Sequence, residues 1–163
     1  MKSHVYTVPP PSDVESTITN LKLTDSCVFI FYPNKQSSPT PQLHPGYDYY
    51  HPKITAEPFI GNTDHVSVEN QNNKLTILKS GVFVIEPYTY RFYTGTETAV
   101  YSIIRLNDVV IYDDLLLIID NHYIPNNTQL LYLKTGDVIS FGYEAEDELS
   151  FADGRYLKVR RYE

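Results

Sequence analysis

Residues 129–143 constrain the fold more than any other stretch. They read Gln129-Leu130-Leu131-Tyr132-Leu133-Lys134-Thr135-Gly136-Asp137-Val138-Ile139-Ser140-Phe141-Gly142-Tyr143. Leu131 and Leu133 alternate with Tyr132 and Lys134, the period of a half-buried strand. Lys134-Thr135-Gly136-Asp137 supplies a tight turn, with Gly136 free to take a positive φ. Val138, Ser140 and Gly142 then alternate with Ile139, Phe141 and Tyr143. The stretch predicts a hairpin of two strands with apolar residues on both faces. One face belongs in a core and the other against something else.

The rest of the chain carries the same signals. Cys27-Val28-Phe29-Ile30-Phe31-Tyr32, Leu75-Thr76-Ile77-Leu78, Val82-Phe83-Val84-Ile85, Ala99–Leu106 and Arg155–Tyr162 all read as strands. Val66 and Val68 mark a short one, and Leu149–Phe151 another. Asn107-Asp108 is a hairpin-like turn before Val109–Tyr112. Pro87 inside the Val82–Tyr93 run predicts an edge or a bulge, and Pro33 is expected to stop the first strand. Leu115–Ile119 fits a helix or a strand by periodicity; its length and isoleucine content favour a buried strand or edge. No segment shows capped helical periodicity. Short strands with a turn signal about every 8–12 residues predict an all-β antiparallel sandwich. At 163 residues the chain suits one domain with a substantial core. Residues 17–163 are expected to form it, with residues 1–16 as an extended arm.

That arm contains Val5, Tyr6, Val8 and the run Pro9-Pro10-Pro11, which favours polyproline II and has no core of its own. It reads as an anchor onto a neighbouring subunit or a larger scaffold. Residues 34–60, with repeated prolines and Tyr47-Asp48-Tyr49-Tyr50-His51, read as a long loop, functional or packed on a partner. His44, Tyr47, Tyr49, Tyr50 and His51 are its candidate ligand residues. Their spacing matches no metal-ligand pattern, so no metal or other cofactor is expected. Asp113, Asp114, Asp120 and Glu144–Glu148 could meet calcium, but no EF-hand spacing is present.

Composition excludes several functions. A net charge of −7 opposes nucleic-acid binding, which needs a basic surface. Cys27 is the single cysteine; no intrachain disulfide is possible, and a buried small hydrophobe is its expected role. No apolar run is long enough to insert in a membrane. The opening Met1–Tyr6 lacks an apolar signal core, so synthesis in a host cytoplasm without signal-directed export is expected. No Gly-x-Ser-x-Gly elbow, phosphate loop or HExxH motif is present, nor the clustered His and Glu of a metal-dependent double-stranded roll, so the chain does not read as an enzyme. With 15 Tyr and 7 Phe it is rich in residues that serve both strands and contact surfaces.

From Leu75 onward the order of signals resembles the jelly roll of tumour necrosis factor and complement globular-head domains. A short strand turns at Ser80-Gly81 into the strand Val82–Ile85. Tyr101-Ser102-Ile103-Ile104-Arg105-Leu106 ends in an Asn107 turn. Leu131-Tyr132-Leu133 enters the Gly136-Asp137 turn, and Leu149-Ser150-Phe151 precedes the last strand. The resemblance implies two packed antiparallel sheets and a homotrimer. Tyr88, Tyr90, Phe92, Tyr101, Phe141 and Tyr143 are the expected trimer contacts. Similar domains occur on viral and bacteriophage spikes, decorations and receptor-binding proteins. The expectation is therefore a virion-surface protein, a capsid decoration or spike held to capsid or tail proteins by residues 1–16. The alternative is a module of a phage tail or head fibre that binds a host-surface glycan or protein, with its site in the loop from Gln42 to Pro52.

Overall fold

The computed structural model describes residues 21–35, 43–55, 57–68, 74–88, 92–93, 100–116, 128–145, 150–151 and 156–163. These residues contain strands and no helix, as the sequence predicts. In chain order the strands are β1 (Leu23–Lys35), β2 (Asp48–Ile54), β3 (Ile60–Gly61), β4 (Val66–Val68), β5 (Lys74–Ile77), β6 (Gly81–Tyr88) and β7 (Phe92–Tyr93). They continue with β8 (Val100–Leu106), β9 (Val109–Leu116), β10 (Gln129–Leu133), β11 (Val138–Ala145), β12 (Ser150–Phe151) and β13 (Tyr156–Tyr162).

Two antiparallel sheets form a jelly-roll sandwich. The first runs β10-β6-β13-β1-β3. The second is centred on β11, with β8 and then β9 on one side. On its other side β11 pairs with β2 at residues 143–145 and with β5 at residues 138–140, and β5 leads to β4. β1 belongs to both sheets: residues 23–30 pair with β13, and residues 31–35 pair with β2. Such a strand makes the corner of a sandwich. A two-residue pair of β7 and β12 stands apart.

The predicted hairpin at 129–143 is corrected. β10 pairs with β6 in the first sheet, and β11 pairs with β2, β5 and β8 in the second. The turn therefore crosses between sheets. It is tight all the same: Gly136 has φ 93°, the Asp137 amide donates to the Lys134 carbonyl at 3.0 Å, and the Asp137 carboxylate accepts from the Lys134 amide at 2.8 Å. The Gly136 amide is taken by the Ile77 carbonyl at 2.8 Å, which docks the turn on β5. Both strands alternate because each has one face in the same core, reached from opposite sheets.

Two further expectations fail around Pro33. The strand continues through it to Lys35, with Pro33 opposite Pro52. Part of the expected 34–60 loop is strand, because β2 and β3 lie within it. Prolines hid the pattern: Pro33 and Pro52 face each other across the β1–β2 pairing. Pro87 behaves as predicted for an edge. β6 runs past it in register with β13, while the pairing with β10 ends at Ile85.

The core lies between the sheets. Cys27, Phe29, Phe83, Ile85, Leu133, Leu157 and Val159 come from the first; Ile54, Val66, Leu75, Ile77, Ile104, Ile139 and Phe141 come from the second. At one end, buried Arg161 ties elements together. Its guanidinium donates to the Ser80 carbonyl at 2.9 and 2.7 Å, to Thr24 Oγ1 at 3.1 Å and to Asp25 at 3.2 Å, and it pairs with Glu163. A buried guanidinium is tolerable only with such saturation.

Candidate functional site

The outer faces of the two sheets differ in what covers them. On the first sheet, strand alternation sends Leu131, Phe83, Ile85, Leu157 and Val159 inward. Their neighbours then face away from the core. Register places Leu130 beside Val84 and Tyr132 beside Val82, and Val82 beside Tyr162. On β1, Val28 and Ile30 continue the face, opposite Lys158 and Tyr156. Leu130 is 66% exposed and Tyr132 64%. A contiguous apolar sheet face of this kind marks an interaction surface. Charge divides it: Lys158 and Arg160 on β13, with Glu86 on β6, lie in register between Val82 and Val84 on one side and Val28 on the other. Glu86 accepts from Arg160 at 2.7 Å and lies 3.9 Å from Lys158, so one carboxylate answers two cations. The Arg160 Nε is buried with no hydrogen-bond partner among the described residues.

The second sheet completes its outer face from its own chain. Gly142 lies under the Tyr49 ring; a Cβ at residue 142 would fall 1.9 Å from Tyr49 Oη. That hydroxyl accepts from Arg105 at 2.7 Å, and the guanidinium carbon sits 5.3 Å from the ring centroid. His51 packs edge-on to Tyr49. Burial raises the Tyr49 hydroxyl pKa, against the pull of the Arg105 charge and hydrogen bond. Burial, with Arg105 and Lys74 adding to it, pushes His51 down to about 4. Beside this layer, the Glu144 side chain is fully buried, at 0% exposure. Its carboxylate accepts from the Leu43 amide at 2.8 Å, the His44 amide at 2.9 Å and His44 Nδ1 at 2.8 Å. His44 Nε2 lies 3.5 Å from Asp113, and the ring stacks on Tyr101 with centroids 3.5 Å apart. Burial raises the Asp113 carboxyl pKa while the His44 charge acts to lower it.

These placements sort the residues expected from sequence. Phe141 and Tyr143 are buried inside the protomer, which removes them from the expected trimer contacts: Phe141 joins the core. Tyr101 is held by His44 and Tyr47. Tyr88 sits opposite Tyr156 on the first sheet, and Phe92 lies in β7; Tyr90 falls outside the described residues. Among the expected ligand residues, Tyr49, Tyr50 and His51 are buried strand residues of β2, not loop residues. Only His44 and Tyr47 lie in the preceding turn. The anchoring residues Val5, Tyr6, Val8 and Pro9–Pro11 fall outside the described residues. Leu130 and Tyr132 were missed as surface candidates, although their alternation with Leu131 and Leu133 was readable. Among the described residues no cluster of His, Cys, Asp and Glu is arranged to hold a metal ion, and no helix is long and apolar enough to cross a membrane.

No protein-family model matches the chain, and no curated protein matches it. Solved structures do. A crystal structure of murine APRIL at pH 5.0 superposes with a TM-score of 0.57 at 13% identity, over 83% of this chain and 98% of that one. Murine APRIL at pH 8.5 gives 0.55 at 12% identity, again over 83% and 98%. At this identity the likeness is one of fold. The chain has a tumour necrosis factor-like jelly roll.

Proposed function

We propose that the protein is a non-enzymatic, homotrimeric jelly-roll head, displayed on a virion surface as a capsid decoration or spike. The observation that carries the self-association is the outer face of the first sheet, where Leu130 and Tyr132 stand exposed beside Val82, Val84 and Tyr162. Removing such a row from water is the main favourable term in association. Beside Glu86 one carboxylate meets two cations, Arg160 and Lys158, which leaves positive charge for a partner's carboxylate to answer. A second copy supplies both an apolar row and carboxylates, since the chain carries 20 Asp and Glu against 13 Lys and Arg. Closed symmetry then satisfies every copy alike. The placement on a particle rests on the sequence, in which a Pro-rich segment precedes the jelly roll as an anchoring arm.

Two experiments test the two parts separately. Replacing Leu130 and Tyr132 together by Glu is expected to yield folded protomers that no longer associate; retained association would overturn the interface. Deleting residues 1–16 is expected to abolish attachment to the particle while leaving the jelly roll folded. Unchanged occupancy on the particle after that deletion would overturn the anchoring role.

A further inference from the structure

Cys27 and His65 form a buried pair that the self-association reading does not use. Cys27 Sγ lies 3.6 Å from His65 Nε2. His65 is 0% exposed and stacks near Phe83, with ring centroids 6.1 Å apart. Its Nδ1 is buried with no hydrogen-bond partner among the described residues. A neutral imidazole can sit this way at modest cost. An imidazolium cannot, because it would place a second N–H and a charge among Cys27, Phe83 and the rest of the core.

Residues 57–68 carry His65 and run beside Cys27, held by short pairing and by the bonds from the Phe59 amide to the Val28 carbonyl at 2.7 Å and from the Leu78 amide to the His65 carbonyl at 2.8 Å. β3 meets β1 over only Cys27↔Gly61 and Val28↔Ile60. β4 spans three residues and pairs with β5 alone. Phe59 and Ile60 are 71% and 60% exposed. Within the segment only His65 and Val66 are fully buried, and local opening draws on segments with such short pairing. Gly61 holds the strap down: it has φ +90°, and a Cβ there would fall 2.0 Å from the Ser26 carbonyl oxygen.

We propose that residues 57–68 are a strap beside Cys27 that opens on acidification, with protonation of His65 as its trigger. The charged groups around the imidazole do not cancel this. Burial is the largest influence and lowers the pKa of His65. Asp25 on β1 opposes it, Arg161 on β13 and Lys79 in the β5–β6 turn reinforce it, and Asp64 beside it in the strap opposes it. The imidazole therefore takes its proton more readily with the strap open than closed. Closure is fully favoured above about pH 6.5, the ordinary histidine value, and weakens as pH falls below it. Opening exposes a thiol that burial otherwise pushes up to about 12, and Asp25 adds to that shift. The strap thus couples acidity to access at the single cysteine.

The test measures labelling of Cys27 by 4,4′-dithiodipyridine from pH 7.5 to 4.5. Each rate is divided by the rate for the urea-unfolded chain at the same pH, which removes the thiol's own ionisation. The normalised rate is expected to be flat above pH 6.5 and to rise as pH falls below it, by at most about tenfold per pH unit. His65→Phe, which keeps the ring stack and cannot titrate, is expected to give a flat profile. Gly61→Ala is expected to label fast even at pH 7.5, which reports the open strap without acid. Amides of Ile85 and Val159 in the core are expected to stay protected throughout. A flat profile in the wild type, a rise that survives His65→Phe, or core amides exchanging in step with the label would each overturn the proposal.

Discussion

The outer faces of the two sheets are built from the same strand alternation and end differently. On the second sheet the chain folds its own residues over the face: Tyr49 covers Gly142 and meets Arg105, and the turn at Leu43-His44 wraps the Glu144 carboxylate. On the first sheet the corresponding positions hold Leu130, Tyr132, Val82, Val84 and Tyr162, and the described chain puts nothing over them. The polar face is finished within one protomer, where each buried charge has a partner that water would otherwise have to supply. The apolar face is unfinished. Under the proposed self-association, the same face of another copy completes it.

That contrast can be broken at its inner boundary first. Phe141→Ala is expected to destabilise the protomer by about 3–5 kcal/mol, as for any large core aromatic, with Tyr132→Ala shifting it by no more than about 0.5 kcal/mol. Urea unfolding of both variants checks this, and equal small effects would return Phe141 to the surface. On the polar face, Gly142→Ala forces Tyr49 off its place and away from Arg105. A loss of about 2–3 kcal/mol is expected, with loss of the near-ultraviolet tyrosine signal of a fixed ring. A neutral result would mean that the cover over the second sheet is loose. His51 beneath that cover titrates at about 4 in the folded protein, below the ordinary histidine value of about 6.5. A depressed histidine contributes stability above the unfolded value that is lost as pH falls toward the folded one. Between pH 7 and 4.5 the loss assigned to His51 is about 2 kcal/mol. His51→Phe, compared with wild type in urea midpoints at both pH values, is expected to recover most of that difference. An unchanged pH dependence would mean that His51 is not buried neutral.

Much of the fold was legible before any coordinates. β4, β5, β8, β11 and β13 fall within a residue or two of where apolar runs and turn signals placed them; β5 and β13 bury one face at period two, and β8 and β11 bury both faces. The Asn107-Asp108 turn was equally plain; both residues have positive φ, at 50° and 64°, a conformation Asn and Asp tolerate in tight hairpins. What sequence could not show was pairing. β10 and β11 look like hairpin partners because only the four turn residues 134–137 separate them, yet they lie in different sheets. Local pattern fixes which face of a strand is buried, not which strand lies beside it. The same limit misplaced the site. Tyr49 and Tyr50 look like a loop's contact residues between prolines, but they occupy opposite faces of β2, and Glu144 beside them takes its hydrogen bonds from a turn about a hundred residues away in sequence. Leu130 and Tyr132 lay in plain view in the alternation, and knowing which sheet held β10 was what turned them outward.

The most direct test of the unfinished face is the solution mass of the wild-type protein by light scattering at low micromolar concentration. A mass of three chains of 18.8 kDa, falling to one chain when Leu130 and Tyr132 are both replaced by Glu, is the predicted result. A wild-type protein that runs as a single chain would contradict the account, because the apolar face of the first sheet would then stand open to water with no second copy to cover it.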